Sequence, residues 1–291
     1  MDLPTLLQLL VNGLVLGAIY ALIAMGLALI FGVVEIVNFA QGELYMLGAM
    51  AAYFLTMTLG VGFWTSVVLV TLGACGAGVV LYEALLGPFA GKDFERSILL
   101  TLGLSMVLQN GAVVLLTANP RMETTAYTYR HLMLGDVRLP LLRLIALLLA
   151  AAAFAAVYVV LHHTRTGKAM RGVAQNRAAA LMVGIDPRAA ARLAVAIGVG
   201  LSGLAGAALA PVYSVQPTMG FAFVFKAFAI IIIGGLGNIF GAAVSAVALG
   251  IIESVAGGFL PPTIVDAIAF VAMIAVLLFR PQGLFGRGVR V

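Results

Sequence analysis

LLQLLVNGLVLGAIYALIAMGLALIF, residues Leu6–Phe31, holds no charged side chain in a run long enough to cross a membrane. About 20 such residues span a hydrocarbon core of roughly 30 Å as a helix, the only single segment that satisfies its own backbone in lipid. The run is too long for the apolar region of a secretion signal, and the residues before it hold Asp2 but no Lys or Arg. It is therefore expected to be retained as a span. Working outward, similar runs lie near Leu44–Leu59, Phe63–Leu86, Ser97–Ala118, Leu139–Leu161, Leu193–Tyr213, Phe221–Ile233, Phe240–Val255 and Ile264–Phe279. The chain is 63% hydrophobic and 9% charged, with mean hydropathy +1.16, against about 25% charged residues in a soluble domain. The expected fold is an all-α polytopic membrane protein, one domain over 1–291, with about eight transmembrane helices. Phe221–Ile233 would reach only about 20 Å as a helix, and Gly234-Gly235-Leu236-Gly237 breaks it. A short span, half-helix or re-entrant segment is expected near 221–241. No internal repeat is visible in residue identities.

Against this background stands a charged island, Arg165, Lys168, Arg171, Arg177, Arg188 and Arg192, opposed only by Asp186. It must be an aqueous loop, about residues 163–191. Between Lys168 and Met182, Lys168, Arg171 and Gln175 share one helical stripe while Met170, Val173, Ala174 and Leu181 share another. Gly184 stops this helix, and Asp186-Pro187 supplies an N-cap and first-turn proline for the next. Two readings remain open: a hairpin on which a motor protein docks, or a basic loop lying on anionic headgroups. With the island in the cytosol, the Lys92/Arg96 loop and the Arg280–Arg290 tail fall inside too, provided Leu193–Phe279 crosses an even number of times. Arg121, Arg130, Arg138, Arg143 and Lys226 are then left outside or near the outer interface. The N-terminus is expected outside, the C-terminus cytoplasmic, and Asn119–Arg138 is the longest external loop, with Tyr127 and Tyr129 as interfacial anchors.

Glu35-Ile36-Val37-Asn38-Phe39-Ala40-Gln41-Gly42-Glu43 sets four polar side chains between apolar helices without a basic residue. Either it dips into the bilayer as broken helix and lines a path, or it is a solvated turn. Glu43 is the carboxylate expected to be buried, because an apolar helix begins just after it. Asn12, Glu83, Gln109, Asn110, Glu253 and Asp266 are costly in lipid and should face the bundle interior or an interface. Glu83 and Asp266 lie near span ends. Glu253 is the better candidate for a buried pair, with Lys226 as its partner. Gly198, Gly200, Ser202, Gly203 and Gly206 form a small-residue face suited to close helix packing. Gly200-Leu201-Ser202-Gly203 also matches a short string of intramembrane serine proteases, but a serine nucleophile needs a base, and His131, His162 and His163 all lie outside mid-span. Gly91-Lys92 and Gly167-Lys168 lack the Ser or Thr of an ATP-binding loop. There is no HExxH, paired CxxC or His cluster to suggest a metal, and the lone Cys75 has no activating neighbour. The net charge of +5 sits in span-flanking loops, which speaks against nucleic acid as a partner.

Asn12-Gly13-Leu14, Gly17-Ala18-Ile19-Tyr20-Ala21-Leu22-Ile23-Ala24-Met25-Gly26, Asn38-Phe39-Ala40-Gln41-Gly42-Glu43, Lys226-Ala227-Phe228 and Gly234-Gly235-Leu236-Gly237-Asn238-Ile239-Phe240-Gly241-Ala242 together resemble the LivH-type permeases of branched-chain amino-acid ABC importers, nearly end to end. The resemblance implies a non-enzymatic subunit of the bacterial inner membrane that binds no cofactor itself, ATP being used by partner chains. It implies as partners a second, LivM-like permease, two cytoplasmic ATPases and a periplasmic binding protein delivering Leu, Ile or Val, with lipid around the spans. Permeases for urea and short amides look similar, and an ion-coupled secondary transporter is the reading outside this class. By the same resemblance Arg171, Asn176, Arg177, Ala179, Ala180 and Gly184 belong to a coupling loop inserted into an ATPase cleft. Asn12, Asn38, Gln41, Glu43 and Glu253 are the expected translocation-path residues. Related proteins often carry His where this chain has Gln41, so no proton-linked role is implied there.

Overall fold

The computed structural model describes residues 3–90, 94–116, 119–134 and 137–286; Asp2, Lys92, Arg287 and Arg290 lie outside them. The helices are α1 (Leu3–Val34), α2 (Gln41–Tyr53), α3 (Phe63–Leu81), α4 (Phe94–Leu116), α5 (Leu141–His163), α6 (Arg165–Gln175), α7 (Arg177–Met182), α8 (Pro187–Leu209), α9 (Met219–Gly234), α10 (Ile239–Gly257) and α11 (Pro262–Phe279). Among the described residues the strands are one antiparallel hairpin, β1 (His131–Leu134) with β2 (Val137–Pro140), in register His131 to Pro140. Among the described residues seven helices are long and apolar enough to cross a membrane, and α9 is a shorter apolar helix. The protein is thus an all-α multi-pass membrane protein. α2 continues into a π turn at Phe54–Thr58.

Glycines set the packing. α1 is antiparallel to α10: Gly13 lies against Ile251, Gly17 against Val247 and Gly32 against Gly237, and a Cβ on Gly17 would come 2.7 Å from the Val247 Cα. α8 is antiparallel to α3 in the same manner, with Gly203 against Ala74, Gly200 against Cys75 and Gly78 against Ala196. Such small-residue contacts let backbones approach where lipid offers no hydrophobic drive.

The two ends of the bundle are chemically distinct. At one end Gly32, His162, Met170, Arg171, Gly237 and Asn238 help line a cavity of about 410 Å³. At the other, Arg121 and Val215 exchange backbone hydrogen bonds of 2.9 and 2.7 Å, Arg143 donates to Asn12, and the Ser254 hydroxyl donates to the Leu9 carbonyl at 2.7 Å. The basic island and the 119–134 segment therefore sit at opposite ends.

α2 and α9 both begin inside the bundle. The Gln41 side chain reaches the Gly198 carbonyl at 2.8 Å, and Gly26 packs against the same atoms. Gly26 lies about 12 Å short of the end of α1, and Gly198 about 16 Å beyond the start of α8, at roughly 1.5 Å per residue. Gly220, at the start of α9, touches Gly42, at the start of α2. The segment near 221–241 is thus a half-helix of 16 residues that starts at mid-depth, and 35–40 dips inward from the opposite end to start α2.

An internal repeat appears here that residue identities conceal. α1–α2–α3 and α8–α9–α10 have the same order, a long helix, a mid-depth start and a long helix, and they run in opposite directions. The α1–α10 pairing is matched by α8–α3. Equivalent residues touch: the second residues of α2 and α9, Gly42 and Gly220, are in contact, and the fifth, Tyr45 and Phe223, have ring centroids 4.8 Å apart. These self-contacts mark the pseudo-two-fold axis of an inverted repeat. Packing geometry is common to the two halves while side chains are not, so identity alone does not reveal it.

Candidate functional site

The stretch 35–43 becomes two structures in one. Asn38 Oδ1 accepts from the Ala40 amide at 3.1 Å and Asn38 Nδ2 donates to Gln41 Oε1 at 3.1 Å, closing the turn that starts α2. Gln41 Nε2 donates to the Gly198 carbonyl and to Ser202 Oγ at 2.7 Å. Both residues are fully buried and hydrogen-bonded, so they pin α2 to α8. Ser202 is held by this bond within helix packing, with no histidine beside it. Thr101 of α4 donates to the Val37 carbonyl at 3.0 Å. Glu35 is exposed and has a positive φ of 60°, unusual for a non-glycine residue.

Glu43 differs. It is 0% exposed, in the first turn of α2. Oε1 accepts from Ser105 of α4 at 3.3 Å, while Oε2 has no hydrogen-bond partner. That oxygen points at the start of α9, 2.7 Å from where a Gly220 Cβ would be.

Glu253 occupies a second buried polar centre, 2% exposed. Its Oε2 accepts from the Tyr20 hydroxyl at 2.7 Å and from Lys226 Nζ at 2.9 Å. Lys226 also donates to Tyr20 at 3.0 Å and lies 2.9 Å from Asp266 Oδ1. One lysine of α9 thereby ties together α1, α10 and α11. Asp266 is engaged in this cluster, and Glu83 pairs with Arg192 at 3.2 Å on an exposed surface. Asn12 does not join either centre; it is half-buried at the far end, receiving bonds from Arg143 and Gln8.

The sequence matches a known family. The family model described as "Branched-chain amino acid transport system / permease component" matches residues 9–277. The chain belongs to this permease family. It is 29% identical to the high-affinity branched-chain amino acid transport system permease protein LivH of Escherichia coli K12, over 97% of this chain and 96% of that protein. The same identity and coverage relate it to BraD, a high-affinity branched-chain amino acid transport system permease protein of Pseudomonas aeruginosa. It is 26% identical to a probable LivH of Methanocaldococcus jannaschii, over 94% and 91%. Among solved structures, PsaBC from Streptococcus pneumoniae in complex with Fab shares the fold at TM-score 0.50 and 12% identity, covering 93% of this chain and 91% of that one.

In this permease the basic island forms two short helices before α8 rather than one. Asn176 ends α6 and caps α7, its side chain accepting from the Ala179 amide at 2.9 Å. The stripe expected to run from Lys168 to Met182 is therefore broken: Met170 and Val173 are buried at 1% and 5%, whereas Leu181 is 58% exposed. Asn is a good cap and competes with the helix interior, which is the physical reason for the break. Gly184, at φ +79°, makes the stop, and Asp186 caps α8, accepting from the Arg188 amide at 2.8 Å. α8 then starts at Pro187 and runs unbroken into the bundle. Ala180 is buried, and Arg177 donates to the Ala90 carbonyl at 3.2 Å, bracing the hairpin against the segment that follows α3. Leu181, Met182 and Val183 form its exposed apolar tip.

Sequence reasoning did not single out Tyr20, Ser105 or Glu123. Glu123, in the segment after α4, is 3% exposed with neither carboxylate oxygen hydrogen-bonded, and burial pushes its carboxyl above the usual range. Tyr20 and Ser105 carry no signal apart from being polar inside apolar runs.

Proposed function

We propose that this chain is the transmembrane permease subunit of an ATP-driven importer of branched-chain or related hydrophobic amino acids. A second, LivM-like permease completes the path, a periplasmic binding protein delivers the cargo, and two cytoplasmic ATPases supply the work; this chain binds no cofactor and makes or breaks no bond. The bundle end with α6 and α7 faces the cytosol, together with the C-terminus, in a bacterial inner membrane, and the N-terminus lies outside. The observation that carries the reading is the α6–α7 hairpin, where Arg171, Asn176, Arg177, Ala179, Ala180 and Gly184 hold a rigid stop–start while Leu181, Met182 and Val183 are 58%, 88% and 75% exposed. An apolar tip on a basic, capped scaffold suits a groove on a partner protein. It is a poor fit to a lone membrane span.

Within the subunit, α2 and α9 start at mid-depth from opposite ends, so cargo is held between the two halves of the repeat and released as they rock. Asn38 and Gln41 brace that centre, Glu43 lines it, Glu253 clamps α9, and Asn12 fastens the outer end. The test is reconstitution with candidate ATPases, a second permease and a binding protein of the same transporter class. Leucine, isoleucine or valine uptake that requires ATP and all subunits is expected, with Arg177→Glu separating ATP hydrolysis from uptake. Uptake by this chain alone on a proton or sodium gradient overturns the reading.

A further inference from the structure

Missing side-chain caps are shared by α2 and α9 with α3, α5 and α11, whose starts follow Gly62, Pro140 and Pro261; what sets α2 and α9 apart is that their starts lie at mid-depth. α6, α7, α8 and α10 each receive a side-chain cap, from Thr164, Asn176, Asp186 and Asn238. α2 and α9, which begin at mid-depth, receive none: Ala40 and Thr218 make no side-chain cap. A helix start leaves backbone N–H groups unsatisfied and carries partial positive charge, so an uncapped start in a low-dielectric interior favours an anionic group. Into this place points the unbonded Oε2 of Glu43, on a side chain with no exposure. Among the described residues no basic side chain pairs with it; Lys226 is occupied by Glu253, Tyr20 and Asp266.

We infer that the meeting point of α2 and α9 is a binding site for a zwitterionic α-amino acid, Glu43 receiving its ammonium group and the first turn of α9 its carboxylate. The inference rests on the permease reading and names the chemistry its path selects. An ammonium beside Glu43 supplies the counter-charge this carboxylate lacks, and a carboxylate at the Gly220–Phe221 amides meets the start of α9, the Met219 amide being already bonded to the Gln216 carbonyl at 3.2 Å. Both charges of the cargo are matched by groups on the two halves of the repeat, on its pseudo-axis, while the apolar side chain is left to apolar surroundings. Neutral amides need no such charge. The site is closed in this conformation, beneath Ser105 of α4. α4 exposes Leu99, Met106, Val107, Val114 and Leu115 on its other faces, so it is held chiefly by the side that covers Glu43 and can move to admit cargo.

The experiment uses the complete transporter in nanodiscs and dicyclohexylcarbodiimide, which modifies carboxyl groups in apolar surroundings, read by peptide mass at Glu43 and Glu253. Leucine is expected to slow labelling of Glu43 several-fold without protecting Glu253, and 4-methylpentanoate, which lacks the ammonium, is expected not to protect. Equal labelling of Glu43 with and without leucine, an absence of labelling at Glu43, or equal protection by 4-methylpentanoate overturns the inference. In uptake, Glu43→Gln should lose on the order of tenfold or more, as expected when a buried charge pair loses one partner, while Glu35→Gln stays near wild type. Glu43→Gln within about twofold of wild type also overturns it. A wild-type complex that carries urea and no amino acid sinks the amino-acid cargo of the proposed function instead, whatever the labelling shows.

Discussion

Glu253 and Glu43 are the same residue type, both buried inside the bundle, and each leaves one carboxylate oxygen unbonded. Counter-charge separates them. Glu253 has Lys226 and Tyr20 within 2.9 Å on one oxygen, so it closes a clamp that fixes α9 to α1 and α10. Glu43 has one serine hydroxyl at 3.3 Å and faces uncapped helix starts. A carboxylate buried with its cation is architecture; one buried without a cation is a place where something else is expected to bind.

The largest effect is expected at the clamp. Lys226→Met leaves Glu253 uncompensated and should cost about 3–5 kcal/mol, measured by unfolding of the purified complex; adding Glu253→Gln should restore much of it. A single variant as stable as wild type would erase the distinction between the two centres. Next comes the axis contact. A Cβ on Gly42 would lie 2.1 Å from the Gly220 carbonyl oxygen, so Gly42→Ala should force the half-helices apart at about 1–3 kcal/mol, read by the same unfolding measurement and by lost uptake.

Glu123 extends the comparison outside the spans. Burial raises its carboxyl pKa, so the folded segment holds its proton more tightly than the unfolded one. The stabilisation is fully present below the ordinary carboxylate range and is lost as pH rises through the raised value. Amide exchange in 119–134 should therefore quicken over that rise beyond its intrinsic pH dependence, and Glu123→Gln should flatten the excess. The smallest effect belongs to Glu35, an exposed glutamate with left-handed backbone. Glu35→Gly should raise stability by up to about 1 kcal/mol by removing the strain; a loss of uptake there would place a function in the turn itself.

How much of this was readable varies with the range of the interaction. The Asp186-Pro187 start and the Gly184 stop are local signals, as was the burial of Glu43 ahead of an apolar helix. The break at Asn176 was locally encoded too, but the apolar spacing of Met170, Val173, Ala174 and Leu181 across it hid it behind helical periodicity. The short run near Phe221–Ile233 left a short span, a half-helix and a re-entrant segment open, because length alone does not say where a helix starts. That α2 also begins at mid-depth was left open, because a turn and a re-entrant loop have the same composition. The Glu253–Lys226 pair was a guess from charge, whereas Tyr20 and Ser105 were invisible as participants.

Composition and apolar run length by themselves determined that the chain lives in a membrane as helices, since a continuous apolar run of about 20 residues satisfies its own backbone in lipid only as a helix. The order of its motifs determined the permease family. Tertiary structure alone decided that the two halves form an inverted repeat, that Gly42 meets Gly220 on its axis, and which buried glutamate has a cation. The physical reason is that helix formation is governed by residues three and four apart, whereas the pairing of charges and glycines across helices depends on contacts between residues as distant in the chain as Tyr20 and Glu253.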